Sequence, residues 1–223
     1  MKKLTCKPTA LLAALMLLMT GITAQGANDA DTHYVDAAKN LTIINRAQTP
    51  SADSTKLARL DVDLYPQMSA QSARYGRYST GLAILFRTDS PFISARWTTG
   101  HHATGNNMTA ILQSGMDMYI KQDGKWIFAG VARPANGTSH KFDIVSNMDG
   151  TMHECMLYLP TFTAVTSLEI GVKPGSVIEA IPNPFNRRIV FVGSSITHGA
   201  SASRPGLTYP ARIGRALNAE VPN

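Results

Sequence analysis

Cysteine is nearly absent from this chain. Of 223 residues two are cysteines, and Cys6 falls in the leader described below. Cys155 is left alone, so no internal disulfide can form and the fold must hold by its core. Cys155 stands among Met156, Leu157 and Leu159 with no His/Asn pair suggested beside it, which reads as a buried structural cysteine rather than a reactive thiol. Charge is scarce too, at 16% of residues. The formal net charge is +6, with 21 Lys+Arg against 15 Asp+Glu. Lys2, Lys3 and Lys7 account for three of the basic residues, which leaves +3 once the leader is removed. Dispersed charge of this size gives no basis for a nucleic-acid partner, and Arg187-Arg188 reads as a solvated strand entry. Long hydrophobic runs are missing after Met19, so neither a polytopic protein nor a stable membrane anchor is expected. No Cys/His/acidic cluster suggests a metal. His101-His102 is the one histidine pair, and neighbours on a strand point to opposite faces. No cofactor is expected.

The first residues read as an export signal. Basic residues lead, Ala10 to Met19 is apolar, and Gly21 to Gly26 offers small residues for cleavage after Ala24 or Gly26. Residues 1–24 are therefore assigned as a signal peptide, and the mature protein as periplasmic or secreted. A lipid anchor would need a cysteine directly after the apolar run, and Cys6 precedes it.

Residues 28–183 read as all-β. Leu41 to Ile44, Gly81 to Arg87, Phe92 to Trp97 and Leu168 to Val172 are short strands separated by turn signals. Met116 to Lys121 and Lys125 to Ala129 flank Asp123-Gly124, a hairpin pair suited to positive φ. Asn136-Gly137, Asp149-Gly150 and Pro174-Gly175 punctuate further strands. This spacing predicts a β-sandwich or jelly-roll N-terminal domain. Leu57 to Tyr65 is ambiguous, though its Asp61–Tyr65 end alternates like a strand. Met68 to Tyr78 reads as an exposed loop, and Ala180 to Asn186, with two prolines, as a linker.

A different grammar begins at residue 186. Ile189-Val190-Phe191-Val192 predicts a buried strand, Gly193-Ser194-Ser195 a tight turn that lifts a hydroxyl clear of its end. Thr208 then caps a helix with Pro210 in its first turn and Tyr209, Ile213, Ala216 and Leu217 on one face. Strand, loop and helix in that order open an α/β domain over 186–223.

Gly193-Ser194-Ser195-Ile196-Thr197-His198-Gly199 resembles the first block of the SGNH/GDSL hydrolases, Gly-Asp-Ser-Ile-Thr, with Ser194 where the Asp commonly stands. Gly115-Met116-Asp117-Met118-Tyr119 resembles the Gly-x-Asp-Leu-Tyr signature of the N-terminal domain fused to such enzymes, with Met for Leu. Arg77-Tyr78-Ser79, Asp123 to Trp126 and Leu157 to Pro160 are similar to that domain as well. The resemblance implies a serine esterase or acylhydrolase in which Ser195 is the nucleophile and its backbone N–H an oxyanion donor. The base and its orienting acid would come from an Asp-x-x-His pair late in the hydrolase domain. No counterpart follows Asn218, so the sequence reads as a hydrolase cut short, with roughly 150 residues or more to come by usual domain size. On this reading the chain alone is inactive. The expected substrates are acylated small molecules or polysaccharides, with O-acetyl carbohydrate in view. The rival reading is a non-catalytic β-sandwich that binds glycan or serves as an accessory protein.

Other residues carry weaker signals. His198 is three residues from Ser195 with no orienting carboxylate in view, and reads as a histidine at the rim of the site rather than its base. Ser194 is the alternative nucleophile. Trp97, Trp126, Tyr75 and Tyr78 could stack on sugars, but in such a fold aromatics are more often core. Asn40, Asn107 and Asn136 open glycosylation patterns that a lysine-led, bacterial-type signal makes coincidental.

Overall fold

The computed structural model describes residues 29–47, 57–100 and 105–223. The leader, and His101 with His102, lie outside them. Alternation of apolar residues sets the strands. The predicted hairpin is present as β5 (Met116–Gln122) and β6 (Lys125–Ala132), with Asp123 at φ 49° and Gly124 at φ 74°, the left-handed pair that matches strand twist.

Two antiparallel sheets stack. One has the order β1 (His33–Asp36), β9 (Val165–Val172), β4 (Ile93–Thr99), β7 (Ser139–Val145). The other runs β10 (Ile178–Ala180), β3 (Ala83–Thr88), β8 (His153–Tyr158), β5, β6, with β2 (Thr42–Ile44) also paired to β3. Between the sheets lie Trp97, Ile93 and Ile170 from the first and Ile84, Phe86, Met118, Cys155 and Leu157 from the second. Cys155 is the buried structural cysteine expected, and burial pushes its thiol up to about 12.

The expected N-terminal β-sandwich or jelly-roll domain, standing apart from the start of an α/β domain, is corrected here. The alternate residues of the second sheet are buried as well: Ala83 and Leu85 on β3, Tyr119 on β5, Met156 and Tyr158 on β8. Their cover includes Ile181, Phe185 and Ala211. The sheet is therefore a middle layer, apolar on both faces, and the chain forms one integrated α/β unit. The segment read as a linker is part of that cover, and Thr42 Oγ1 donates to Ile181 O at 2.6 Å.

Polar contacts tie the C-terminal segment to the sheets. Asn45 N–H donates to Glu220 Oε1 at 2.9 Å, and Val221 N–H to Asn45 Oδ1 at 2.8 Å. Thr109 Oγ1 donates to Ser203 O at 2.6 Å and Asn107 Nδ2 to Ser201 Oγ at 2.8 Å. At Gly206 a Cβ would stand 2.6 Å from Tyr119 Cε2 and 2.8 Å from Asp117 Oδ2, so only glycine allows this approach.

Other local expectations fail for physical reasons. Met68–Tyr78 contains a helix, Ala70–Gly76, whose first turn Ser69 caps by accepting from Ser72 N–H at 3.1 Å. Residues 62–64 form a 3-10 turn rather than strand. Ile189–Val192 is not a buried strand: Val190 is 57% and Val192 93% exposed. It bonds along one edge, through Ile189 N–H to Glu220 O and Phe191 N–H to Pro222 O, and burial of a parallel strand needs neighbours on both sides. The predicted C-terminal helix spans Tyr209–Leu217 with Thr208 as its N-cap residue, but its buried face is Pro210, Ala211 and Gly214. Tyr209 and Leu217 of the expected face are exposed, because the small residues let the helix lie close.

Candidate active site

Ser195 is the first residue of a one-turn helix, Ser195–His198. Gly199 ends the turn at φ 113°, where a Cβ would also meet Thr208 Cγ2 at 2.5 Å, so the left-handed cap demands glycine. At a first helical position the backbone N–H has no partner within the helix. Ser195 is exposed and opens on a cavity of about 490 Å³. Ser194, His198 and Asn223 also line it, as do Tyr75, Phe162 and Arg59.

His198 points away from the role of a free base. Its Nε2 donates to Thr161 O at 2.6 Å and lies 2.9 Å from Thr80 Oγ1. Its ring stacks on Phe162 at 4.2 Å and meets Tyr75 and Tyr78 edge-on, both at 5.9 Å. Burial, with the charge of Arg59 second, pushes its pKa down to about 4. The imidazole is neutral and pinned by the β-layers, which fixes the turn that carries Ser195.

Below the segment that follows lies Asp117, fully buried. Its Oδ1 accepts from Gly206 N–H at 2.7 Å and its Oδ2 from Arg204 Nε at 3.0 Å. Arg215 lies over the Tyr119 ring at 3.9 Å and donates from Nη2 to Gly206 O at 2.7 Å. Burial pushes the Asp117 carboxyl up to about 6, against the Gly206 N–H and the charges of Arg204 and Arg215.

These two groups oppose each other in pH. His198 has its folded value below the unfolded one, so its contribution is present above about 6.5 and lost as pH falls through 4. Asp117 has its folded value raised, so its contribution is present below about 3.9 and lost as pH rises through 6. Each is on the order of 3 kcal/mol. Between pH 6.5 and 4 they nearly cancel. Thermal melts across that window should show Asp117→Asn losing stability on acidification and His198→Phe gaining it. Parallel curves for the two variants would contradict the assignment.

Of the candidate residues, the fold brings Ser194, Ser195, His198 and Tyr75 to one cavity, with Tyr78 packed behind His198. Trp97 is core, its Nε1 donating to Ser114 O at 2.9 Å, and Trp126 packs at the edge of the second cluster. Sequence reasoning missed Arg59, Thr80, Thr161 and Phe162 altogether. Asp117 was noticed only as part of a motif, although a carboxylate inside an apolar strand is itself a signal of buried partners.

The family comparisons fit this arrangement. Residues 32–178 match the GxDLY family, the N-terminus of SGNH-hydrolase-type esterases, and residues 186–223 match the GDSL-like lipase/acylhydrolase family. The chain belongs to the SGNH/GDSL-type esterase/lipase family. Among solved structures, a Bacteroides ovatus protein described as a GDSL-like lipase is 41% identical with a TM-score of 0.82, over 86% of this chain and 56% of that one. The salicylyl-acyltransferase SsfX3 of a tetracycline biosynthetic pathway shares the fold at 21% identity and a TM-score of 0.63, over 88% and 54%. A family two carbohydrate esterase from Cellvibrio japonicus does so at 13% and 0.53, over 86% and 51%. The chain spans little more than half the length of these solved structures. No match was found among curated proteins. Among the described residues no helix is long and apolar enough to cross a membrane.

Proposed function

We propose that this SGNH/GDSL-family hydrolase is an exported serine esterase in which Ser195 attacks the ester carbonyl. The Ser195 Oγ–carbon bond forms, the alcohol leaves, and water releases the acyl group from the serine. One observation carries the reading: the Ser195 side chain is exposed at the start of a pinned turn, open to a cavity and engaged in no hydrogen bond among the described residues. Its backbone N–H serves as an oxyanion donor. The base is not His198, whose Nε2 proton is committed to Thr161. An Asp-x-x-His pair of the family pattern fills that role. The substrate is an acylated small molecule or polysaccharide, acetyl on carbohydrate first among them, in keeping with the family two carbohydrate esterase that shares the fold. The lysine-led leader of the sequence supports export to the periplasm or beyond the cell.

A second reading, a non-catalytic glycan-binding or accessory protein, draws on the cavity lining, which includes one histidine and no Asp or Glu side chain among the described residues. Hydrolysis of p-nitrophenyl acetate by the protein carrying everything its reading frame encodes separates the two. Turnover well above buffer supports the esterase. Turnover equal to buffer, with glycan retained on an array, supports the second reading.

A further inference from the structure

His198 shares a one-turn helix with Ser195, yet its ring is committed to the β-layers. The acceptor of its Nε2 proton, Thr161 O, is itself a fixed point. Thr80 Oγ1 donates to the same oxygen at 2.5 Å, and Thr80 and Thr161 are both buried. Thr161 is held in turn by Leu112 O, which accepts from its N–H at 3.0 Å and from its Oγ1 at 2.8 Å. Leu112 is buried in the short helix Ala110–Ser114. Two residues before Thr161, Leu159 N–H donates to Leu82 O at 2.9 Å, which pins the segment to the entry of β3. The imidazole is confined sideways as well, by the stacked Phe162 and by the edges of Tyr75 and Tyr78. A directional bond at the far end of the ring together with packing on its sides leaves the side chain one rotamer. Backbone bonds pass that restraint to the serine. His198 N–H donates to Ser194 O at 3.0 Å, and the Gly199 and Ala200 N–H groups donate to Ser195 O at 3.1 and 2.8 Å.

We infer that His198 is a positioning residue for the Ser195 nucleophile: its bond to Thr161 ties the serine turn to the β-layers, which thereby share in catalysis. Misplacing an attacking group by about 1 Å costs on the order of a hundredfold in rate, so a single turn that carries a nucleophile gains from an anchor outside itself. The polar contact of the imidazole is with Thr161 rather than with the cavity, so its loss falls on kcat more than on KM.

This inference rests on the esterase reading for the role of Ser195, and one arm of its test needs no turnover. His198→Phe keeps an aromatic ring beside Phe162 and removes the donor, whereas His198→Gln returns an N–H donor near the place of Nε2. With the protein encoded by the full reading frame and p-nitrophenyl acetate, His198→Phe should lower kcat by about ten- to a hundredfold and leave KM within about twofold. His198→Gln should recover part of that loss. In hydrogen–deuterium exchange, the amides of residues 198–200 should exchange about tenfold faster or more in His198→Phe and close to wild type in His198→Gln. A role in global stability alone would speed exchange in β3 and β8 too, and would leave kcat of the folded protein unchanged. Exchange at residues 198–200 unchanged in His198→Phe, or kcat unchanged while the wild type turns over the ester, overturns the inference. Absent wild-type turnover overturns the esterase reading instead, and the exchange rates then decide on their own whether His198 holds the turn.

Discussion

Asp117→Ala should lower the melting temperature by roughly 6–20 °C, the equivalent of about 3–5 kcal/mol for removing one partner of a buried ionic cluster in a chain of this size. The carboxylate is fully buried and is the acceptor for Arg204 and the Gly206 N–H. Alanine would leave both donors without an acceptor, beside the half-buried Arg215. The cluster as a whole is not a large source of stability, since burial outweighs its partners and raises the Asp117 pKa to about 6. The loss comes from breaking it on one side. Asp117→Asn keeps an acceptor and the volume, and should cost roughly half as much. Differential scanning calorimetry decides this, and an Asp117→Ala loss below about 1 kcal/mol, the range of an exposed pair, would show that the clamp is not buried as described.

Ser195→Ala should reduce kcat for p-nitrophenyl acetate by about a thousandfold or more, the scale on which removal of an attacking group is felt. Stability should stay within about 0.5 kcal/mol, because an exposed hydroxyl without hydrogen bonds holds nothing in place. Ser194 lines the same cavity, so Ser194→Ala is the matched control and should leave most of the rate. The reverse ranking of the two serines would move the nucleophile by one residue.

The hairpin at Asp123-Gly124 was legible because two adjacent positive-φ positions admit few other sequences, and the observed angles follow. Strand positions such as Ile93 to Trp97 were legible by alternation. The place of the second sheet was harder to read. Ala83 to Phe86 is a continuous apolar run, and such a run says that both faces are covered without saying by what. The cover is sparse in apolar residues and held by polar contacts between residues far apart in sequence: Arg204 and Gly206 reach Asp117 across 87 and 89 residues. No local pattern encodes that pairing. The helix at Ala70–Gly76 was missed because its one buried residue is a glycine, so it has no apolar stripe. Ile189–Val192 reads as a buried strand because its composition is right, while its burial depends on neighbours beyond its own sequence. In the site, Ser195 was legible from its motif. The orientation of His198 was not, since Thr80, Thr161 and Phe162 fix it from the β-layers.

The most direct test is to treat the protein encoded by the full reading frame with a fluorophosphonate and locate the adduct by peptide mass spectrometry. The account predicts one phosphonyl group per chain, on the peptide that contains Ser195, and none in Ser195→Ala. A label on Ser194 or on another residue, or no label in a preparation that turns over p-nitrophenyl acetate, would contradict it.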